Sequence, residues 1–492
     1  MEYQLFIIPV LTVGLLWLTA NKTVINSINA AGAFLVFLAS MNITGQVMGK
    51  KVVTPELLNN LFYIDSFSGL MLITITFVLL LISVFSIGYM NEELRRKHTS
   101  IRKLKLYYTL LHTFILIMIF AITTQNMGVM WIAIEAITLA AAFLVGFYND
   151  RKAIEAAWKY IIIGSVGMAF ALLGIVLLYY SSVSALGHSD NGLNWQILYN
   201  NAAGLQGSIL KLAFIFIIIG FGTKVGLSPM HTWLPDAHSQ APSPISALLS
   251  GVLLNISLYA IIRVMIIVNK NLSSSVFTGR LLIAFGIISV GTAAIFILVQ
   301  QDYKRALAYS SIEHMGIISL GLGIFTPVSI FGALYHVINH ALTKSMLFMA
   351  SGNIYLKYDT KKMNKVQGVI RTMPVTGTVF LLGILAITGM PPFSIFSSEL
   401  NIIIASFKSK HYISASLLVI FLTIIFAGFI TQFTRMFYGK PLNKELKKGE
   451  ISIIGSVVLI SMLVIIFITG LYIPSPVKSL LDSAQQIILG GA

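Results

Sequence analysis

The chain contains no cysteine and few charged residues. None of its 492 residues is cysteine, and 10% are Asp, Glu, Lys or Arg, against about a quarter in an ordinary soluble domain. Without thiolates the chain can form neither a disulfide nor a cysteine-ligated iron–sulfur cluster. We therefore expect it to bind no cofactor of its own, and any redox centre to belong to a partner.

The chain is rich in long apolar runs. Hydrophobic residues make up 57% of the chain, and about fourteen runs of roughly 20 apolar residues recur, each able to cross a hydrocarbon core of about 30 Å. Because the runs are unbroken rather than short and alternating, they predict transmembrane helices and not a β-barrel. They are centred near Val13, Phe34, Ile75, Ile115, Leu139, Leu172, Ile217, Leu254, Gly286, Leu320, Val337, Leu382, Phe421 and Val464.

Two of these runs, the seventh and the twelfth, are interrupted by Gly and Pro, at 222–229 and 388–392. Five helices separate the two breaks, so a tandem copy must cross the membrane in the opposite direction. The fourth to eighth and ninth to thirteenth helices are therefore predicted to be inverted repeats. Paired breaks indicate an ion pathway, because unwound backbone is tolerated where it lines protein or water. A pair of ordinary proline kinks is the alternative.

The sequence thus predicts an all-α integral membrane protein of about fourteen transmembrane helices. No soluble linker divides it, so residues 1–492 are expected to form a single polytopic domain. Its predicted parts are three N-terminal helices in 1–103, a first five-helix repeat in 104–269, the inverted second repeat in 279–438, and a last helix in 451–472.

The basic residues are distributed on one side. The net charge is +16, and if the first helix starts outside, about 21 of the 33 basic residues fall in one alternate set of loops, such as 95–105 and 435–448. This asymmetry predicts a multi-pass membrane protein with both termini outside, and we expect that membrane to be a prokaryotic inner membrane. The basic loops are expected to meet lipid headgroups, and no nucleic acid is expected to bind.

Glu135 and Lys224 are the first candidate pair for moving protons. Glu135 lies among apolar residues of the fifth run, where a carboxylate must be neutral or paired. Lys224 lies beside the first helix break and is its natural partner. Opposite charges about 4 Å apart attract by roughly 4 kcal/mol at an effective dielectric near 20. Making or breaking the pair could therefore load or release a proton, while purely structural pairing is the alternative.

His336, His340 and Lys344 repeat at i, i+4 spacing in the eleventh run. They share one helical face, with backbones about 6 Å apart, a separation that suits a water-bridged proton relay. A structural role is one alternative, and a zinc ion bound by the two histidines is another. The sequence alone favours the relay and no metal.

Glu399 and Lys159 are candidates near the ends of the pathway. Glu399 follows the second break and has roughly the place in the second repeat that Lys224 has in the first, which predicts an exit-side proton acceptor. Lys159, just inside the sixth run, is interpreted either as a proton carrier or as a lysine that reaches towards the basic face.

Five further polar residues are interpreted as a possible gate or as structural support. Glu313 and His314 are predicted to form a local, mainly structural polar pair in the tenth run. His231, Asp236 and His238 follow the first break, and a gate and a fold-stabilising cluster explain them equally well.

These motifs together resemble the antiporter-like subunits of respiratory complex I, membrane-bound hydrogenases and Mrp cation/proton antiporters. Within that family the chain is most similar to component F of hydrogenase-4 and formate hydrogenlyase. The resemblance spans nearly all fourteen runs and is carried by 224–229, 233–242 and 340–344, and towards component F by 155–160, 311–316 and 389–393 with Glu399.

The resemblance implies a fourteen-helix fold in which Glu135 pairs with Lys224 and a central polar axis ends near Glu399. One position departs from it. Many relatives carry Lys or His in the eighth helix where this chain has Asn255, which cannot carry a proton charge. Water, His336 or His340 must then bridge the gap.

The expected function is proton translocation as a subunit of an energy-converting redox complex. The expected partners are other membrane subunits, including further antiporter-like ones, and a soluble redox arm that performs the enzymatic step. Two alternatives stay open: a subunit of an Mrp-type Na⁺/H⁺ antiporter, and the proton-driven membrane subunit of an inorganic-carbon uptake system.

Overall fold

The computed structural model describes residues 3–50, 52–54, 61–187, 191–441 and 446–490. The structure is mostly helical, at 82%. Within the described ranges, ten helices are long and apolar enough to cross a membrane by length and composition. The prediction of a helical membrane protein is confirmed at this level. Part of the basic loop at 435–448 lies outside the described residues.

The N-terminal half runs from three helices into the first predicted repeat. Its α-helices are α1 (Gln4–Trp17), α2 (Lys22–Lys50), α3 (Ser66–Arg95), α4 (Ile101–Thr123), α5 (Met127–Val145), α6 (Arg151–Leu186), α7 (Trp195–Asn200), α8 (Gly207–Val225), α9 (Trp233–Gln240), α10 (Ser243–Leu248) and α11 (Leu254–Leu272).

The C-terminal half contains the second predicted repeat and ends in a short helix. Its α-helices are α12 (Val276–Val299), α13 (Tyr303–Ile324), α14 (Pro327–Tyr358), α15 (Val369–Thr372), α16 (Pro374–Ile387), α17 (Ser394–Lys408), α18 (Tyr412–Tyr438), α19 (Ile453–Leu471) and α20 (Ser475–Ile488).

The structure departs from a purely α-helical fold in one small ribbon. Strands β1 (Val52–Val53) and β2 (Ile64–Asp65) pair antiparallel, with Val52 opposite Asp65. Branched valines favour the extended backbone. Asp65 ends the ribbon and caps α3 by accepting a hydrogen bond from the backbone N–H of Ser68.

Both predicted helix breaks are present, each beside a glycine with positive φ. α8 ends at Val225 before Gly226 (φ +81°), and α16 ends at Ile387 shortly before Gly389 (φ +70°). This left-handed backbone is accessible to glycine at little cost. The chain resumes helical structure in α9 and in α17, so backbone polar groups are freed at both places.

A π-helical turn, Leu249–Leu253, joins α10 to α11 into one continuous helix. This helix is fully buried over its most apolar stretch. Within the turn, Gly251 has no room for a side chain, since a Cβ there would lie 2.8 Å from the carbonyl oxygen of Ala341 in α14. The turn therefore packs directly on the helix that carries His340 and Lys344.

Small residues let other helices approach closely. α6 packs extensively on α8, and α12 on α13. A Cβ on Gly286 would lie 2.7 Å from the carbonyl oxygen of Gly316, and a Cβ on Gly316 would lie 2.7 Å from that of Gly286. Close backbone contact of this kind is typical of membrane helix pairs.

The C-terminal helix α20 was not predicted. It packs on α3 and α14 through Leu480, Leu481, Ala484 and Ile488, which are buried. The sequence carries its signal, because these residues recur at one-face helical spacing and Pro476 stands in the first turn.

Candidate functional site

Glu135 and Lys224 meet as the sequence predicts. Lys224 ends α8 and is buried, whereas Glu135, in the middle of α5, keeps 26% of its side chain exposed. The Lys224 Nζ lies 3.8 Å from Glu135 Oε2. At that distance the attraction is roughly 4 kcal/mol for an effective dielectric near 20, and the exposed edge of Glu135 lowers this value.

Three neighbours define the geometry of the pair. The Ser165 hydroxyl donates to Glu135 Oε1 at 2.7 Å. Thr138 bridges the charges: its hydroxyl accepts a hydrogen bond from Lys224 Nζ and donates to Glu135 Oε2 at 3.2 Å. The Lys224 ammonium also lies 4.9 Å from the centre of the Tyr160 ring. The lysine can therefore stay solvated by fixed dipoles when the carboxylate changes charge.

A second group of buried titratable residues lies between α13, α14 and α17. Lys344 donates to the carbonyl oxygen of Leu307 at 2.8 Å, and Glu313 is close enough to interact with it electrostatically. His340, one turn before Lys344, is completely buried. Neither of its ring nitrogens has a hydrogen-bond partner within the described ranges.

His314 is the centre of this group. Its Nδ1 lies 2.9 Å from His336 Nε2 and 3.9 Å from Glu399 Oε1, and its ring centre is 5.4 Å from that of His340. His336 in turn is 2.9 Å from the hydroxyl of Ser398. The three histidines therefore connect through His314 on α13 and not only along the face of α14.

The predicted local pair of Glu313 and His314 does not form. His314 faces His336 and Glu399, while the oxygens of Glu313 accept no hydrogen bond within the described residues. Consecutive helical residues point about 100° apart and cannot face each other. This interpretation was wrong, and His314 belongs to the site itself.

The expected equivalence of Glu399 and Lys224 is also wrong. Lys224 lies before its break, in α8, and Glu399 lies after its break, in α17. Glu399 follows Gly389 by ten residues, as Asp236 follows Gly226. Aligned on the two breaks, Glu399 therefore corresponds to Asp236. The Glu399 carboxylate lies against the Gly389 backbone, in the space a side chain would need.

Lys159 and Asp236 lie in a polar cleft of about 600 Å³. Lys159 Nζ is 3.1 Å from Asp236 and 2.7 Å from Glu155, with 46% of its side chain exposed. Arg305 also pairs with Asp236. Lys159 thus belongs to a partly exposed ion-pair network, and its two interpretations, as a proton carrier or as a lysine that reaches towards the basic face, both stay predictions.

His231, His238 and Asn255 are buried. His238 stacks on Phe348, with ring centres 5.0 Å apart, and neither of its nitrogens is hydrogen-bonded in the described part of the chain. His231 packs near Tyr309. Asn255 donates to the Gly251 carbonyl at 2.8 Å, which leaves its side-chain oxygen buried and unpaired among the described residues.

Asp65 and Arg263 form a buried ion pair that the sequence did not reveal. Two Arg263 nitrogens each lie 2.7 Å from an Asp65 oxygen, and 2% of either side chain is exposed. The Arg263 guanidinium is surrounded by the rings of Phe67, Trp195 and Tyr259. Because the partners are 198 residues apart, no local spacing pattern could indicate the pair. It joins the start of α3 to α11.

Two family models and a related protein match the sequence of this chain. Residues 124–426 match the family described as NADH:quinone oxidoreductase/Mrp antiporter, TM, and residues 58–98 match NADH-Ubiquinone oxidoreductase (complex I), chain 5 N-terminus. The chain is similar to the hydrogenase-4 component F homolog of Methylacidiphilum infernorum (isolate V4), with 38% identity over 415 residues, 84% of this chain and 86% of that relative.

Two solved structures share the fold. The membrane-bound sulfane sulfur reductase, an archaeal respiratory membrane complex, contains a chain that matches with a TM-score of 0.87 at 24% identity, over 99% of this chain and 97% of that one. A chain of the Mrp complex from Dietzia sp. DQ12-45-1b matches with a TM-score of 0.87 at 18% identity, over 99% and 97%.

Proposed function

The chain belongs to the NADH:quinone oxidoreductase/Mrp antiporter family, as an antiporter-like membrane subunit, and from that premise we propose that it translocates protons for an energy-converting redox complex. Its 38% identity to a hydrogenase-4 component F homolog supports a complex of the membrane-bound hydrogenase type. The chain itself contributes no thiolate-bound redox centre, since it has no cysteine. Its proposed task is the movement of charge.

The observation that carries the proposal is the presence of two groups of buried or partly buried titratable residues in one apolar helix bundle. One is the Glu135–Lys224 pair. The other contains Lys344, Glu313, the three histidines and Glu399. Charged groups within a membrane are costly and mark ion or proton pathways. Changing the charge of Glu135 shifts the stability of charged Lys224, and protons then pass through the second group to Glu399.

His238 and water are the proposed link between the two groups. His238 lies near enough to His340 and Lys344 to interact electrostatically with both. Asn255, where the resemblance implies a titratable residue in many relatives, can orient a water molecule through its oxygen, which is unpaired among the described residues. In this proposal a hydrogen-bonded water replaces the charge that is missing at position 255.

The proposed membrane arrangement has fourteen crossings. α8 with α9, and α16 with α17, count as one broken crossing each, and α10 with α11 as one continuous crossing. The helices from α4 to α11 and from α12 to α18 then form the two inverted repeats. Basic loops facing the cytoplasm place both termini outside, in a prokaryotic inner membrane. The proposed partners are other membrane subunits and a soluble redox arm.

Proteoliposomes containing the purified complex provide the test. With an electron donor and acceptor, the complex is expected to acidify or alkalinise the lumen at the same rate in sodium-free buffer and in sodium buffer. A pH-sensitive dye trapped in the lumen measures the rate. Proton movement driven by a sodium gradient without any electron donor would contradict the redox proposal and favour the Mrp-type antiporter.

Gly164→Ala is expected to disturb the Glu135–Lys224 pair by direct steric contact with the lysine. A Cβ at this position in α6 would occupy the place of the Lys224 ammonium, so the lysine must move away from Thr138 and Glu135. Proton translocation in the liposome assay should fall severalfold while the complex stays assembled. Gly14→Ala is the matched control, because nothing lies within 4 Å of a Cβ there. Equal rates in both variants would show that the lysine position does not matter.

A further inference from the structure

Three side chains from three different helices converge beside the second helix break. His314 comes from α13, His336 from α14 and Glu399 from α17, and all are buried. One potential ligand atom from each lies within 4.8 Å of those of the other two. We propose that this cluster binds a divalent transition-metal ion of the zinc type, and that the bound ion blocks proton transfer through the cluster.

The distances are close to those of a tetrahedral zinc site. Zn²⁺ lies about 2.0–2.2 Å from nitrogen and oxygen ligands, which places neighbouring ligand atoms roughly 3.3–3.5 Å apart. His314 Nδ1 is 2.9 Å from His336 Nε2 and 3.9 Å from Glu399 Oε1. The two observed separations bracket that range. The third separation, between His336 and Glu399, is within 4.8 Å, so side-chain shifts of about one ångström would complete the geometry.

The hydrogen bonds around His336 direct a lone pair of its ring into the cluster. The hydroxyl proton of Ser398 is donated to the carbonyl oxygen of Ile395 at 2.8 Å. Ser398 therefore accepts from the Nδ1–H of His336, 2.9 Å away. This tautomer has an unprotonated Nε2, which points into the cluster. A hydrogen bond to the far nitrogen is also how metal-binding histidines are oriented.

The cluster has unused ligand capacity. Glu399 Oε1 and both nitrogens of His340 form no hydrogen bond within the part of the chain that the structure describes. The His340 ring centre is 5.4 Å from that of His314, so a rotation of His340, or a water molecule, can supply a fourth ligand. Imidazole with one carboxylate suits Zn²⁺, Ni²⁺ or Cu²⁺, whereas Na⁺, Mg²⁺ and Ca²⁺ prefer sites made of oxygen.

Carboxylates in and beside the cluster can balance the charge of a divalent ion. Glu399 neutralises one positive charge of the metal, and Glu313 is close enough to Glu399 to offset the other, although Lys344 also interacts with Glu313. Glu399 lies against the Gly389 backbone, and the neighbouring Met390 is 40% exposed. The helix break therefore brings Glu399 close to a residue on the surface of the described chain.

Metal binding would occupy the lone pairs that a proton must use. In the metal-free cluster, His314 Nδ1 donates to His336 Nε2, and a proton can move between the two rings and Glu399. A bound ion replaces that shared proton and holds both nitrogens. The inhibitory effect rests on the proposed function, but the metal site itself does not.

Zinc stoichiometry of the full complex tests the proposal. The detergent-solubilised complex is freed of loosely held metal with a chelator, incubated with 10–50 μM Zn²⁺ (about the range for a site of moderate affinity), gel-filtered and assayed by mass spectrometry. Wild type is expected to retain one more zinc per chain than His314→Gln/His336→Gln. Glu399→Gln, with nearly the same shape, should weaken binding at least about tenfold, and so should Ser398→Ala.

The control is His231→Gln, which removes a buried histidine outside the cluster and should keep the additional zinc. Equal zinc in wild type and in the double histidine variant would overturn the proposal, provided that both elute as assembled complexes.

The same preparations distinguish failure of the metal site from failure of the proposed proton translocation. If zinc binds but Lys224→Ala pumps normally, the proposed function fails and the site stands, whereas an unbound cluster in a pumping complex overturns the site alone.

Discussion

Lys224→Ala in the intact complex is expected to reduce proton translocation at least about tenfold while leaving the subunit assembled. The substitution removes the cation of the Glu135 pair, so a change in the charge of Glu135 no longer has a partner 3.8 Å away to act on. A lost interaction of roughly 2–4 kcal/mol corresponds to a factor of about 30 to 1,000 in an equilibrium. Dye-monitored acidification in proteoliposomes, normalised to electron transfer, measures the effect.

The same helix provides the control. Lys211 is also in α8, but its side chain is exposed and lies beside the Phe277 ring. Lys211→Ala should therefore pump like the wild type. Glu135→Ala should reproduce the Lys224→Ala defect. Undiminished pumping in both Lys224→Ala and Glu135→Ala, at normal subunit content, would contradict the proposed switch.

Asp65→Asn should strongly destabilise the chain. Asparagine keeps the shape of the side chain and its cap on α3, but it leaves the Arg263 guanidinium buried without a counter-charge. Breaking a buried pair in this way costs about 3–5 kcal/mol. The expected result is a lower unfolding temperature of the detergent-purified protein and less assembled complex in the membrane, measured by fluorescence-detected gel filtration after heating.

Two comparisons identify the cause. Asp65→Leu/Arg263→Met removes both charges and should recover most of the lost stability, because no unpaired charge remains. Glu92→Gln breaks the pairs with Arg95 and Arg96, whose side chains are 74% and 27% exposed, and it should cost less stability than Asp65→Asn because water screens these charges. A double variant as unstable as Asp65→Asn would show that packing, and not the stranded charge, causes the loss.

The parts of the site that the sequence could predict are those with a local pattern. Glu135 is conspicuous because it interrupts an apolar run, and Lys224 because it adjoins a Gly/Pro break. Spacing along one helix also placed His336, His340 and Lys344 on a common face. These signals need no knowledge of which helices are neighbours.

Contacts between distant helices could not be predicted in the same way. His314 was assigned to its sequence neighbour Glu313, whereas its hydrogen bond goes to His336, 22 residues away on another helix. The orientation of α13 against α14 decides this, and it depends on close contacts such as that of Gly321 in α13 with Ala333 in α14. Asp65 and Arg263 escaped detection for the same reason.

The sequence likewise predicts some elements of the fold and misses others. Long apolar runs and glycine breaks predict the helices and their interruptions, because hydrophobic length and φ preference act locally. The short ribbon, the π-helical turn and α20 were not predicted. Of these, α20 has a readable amphipathic pattern, while the π-helical turn follows from the packing of Gly251 on α14.

The π-helical turn also bears on how the length of this helix can vary. Deleting one residue from a regular α-helix rotates everything beyond it by about 100° and draws it back by about 1.5 Å, which would carry Arg263 off Asp65. A π turn holds one residue more than α-helical register requires. Loss of a residue within Leu249–Leu253 would restore an unbroken α-helix and leave both flanking faces in place. In a helix buried over its most apolar stretch, inserting or deleting a residue ordinarily disrupts the packing. The π-helical turn is thus a point where this helix can shorten by one residue.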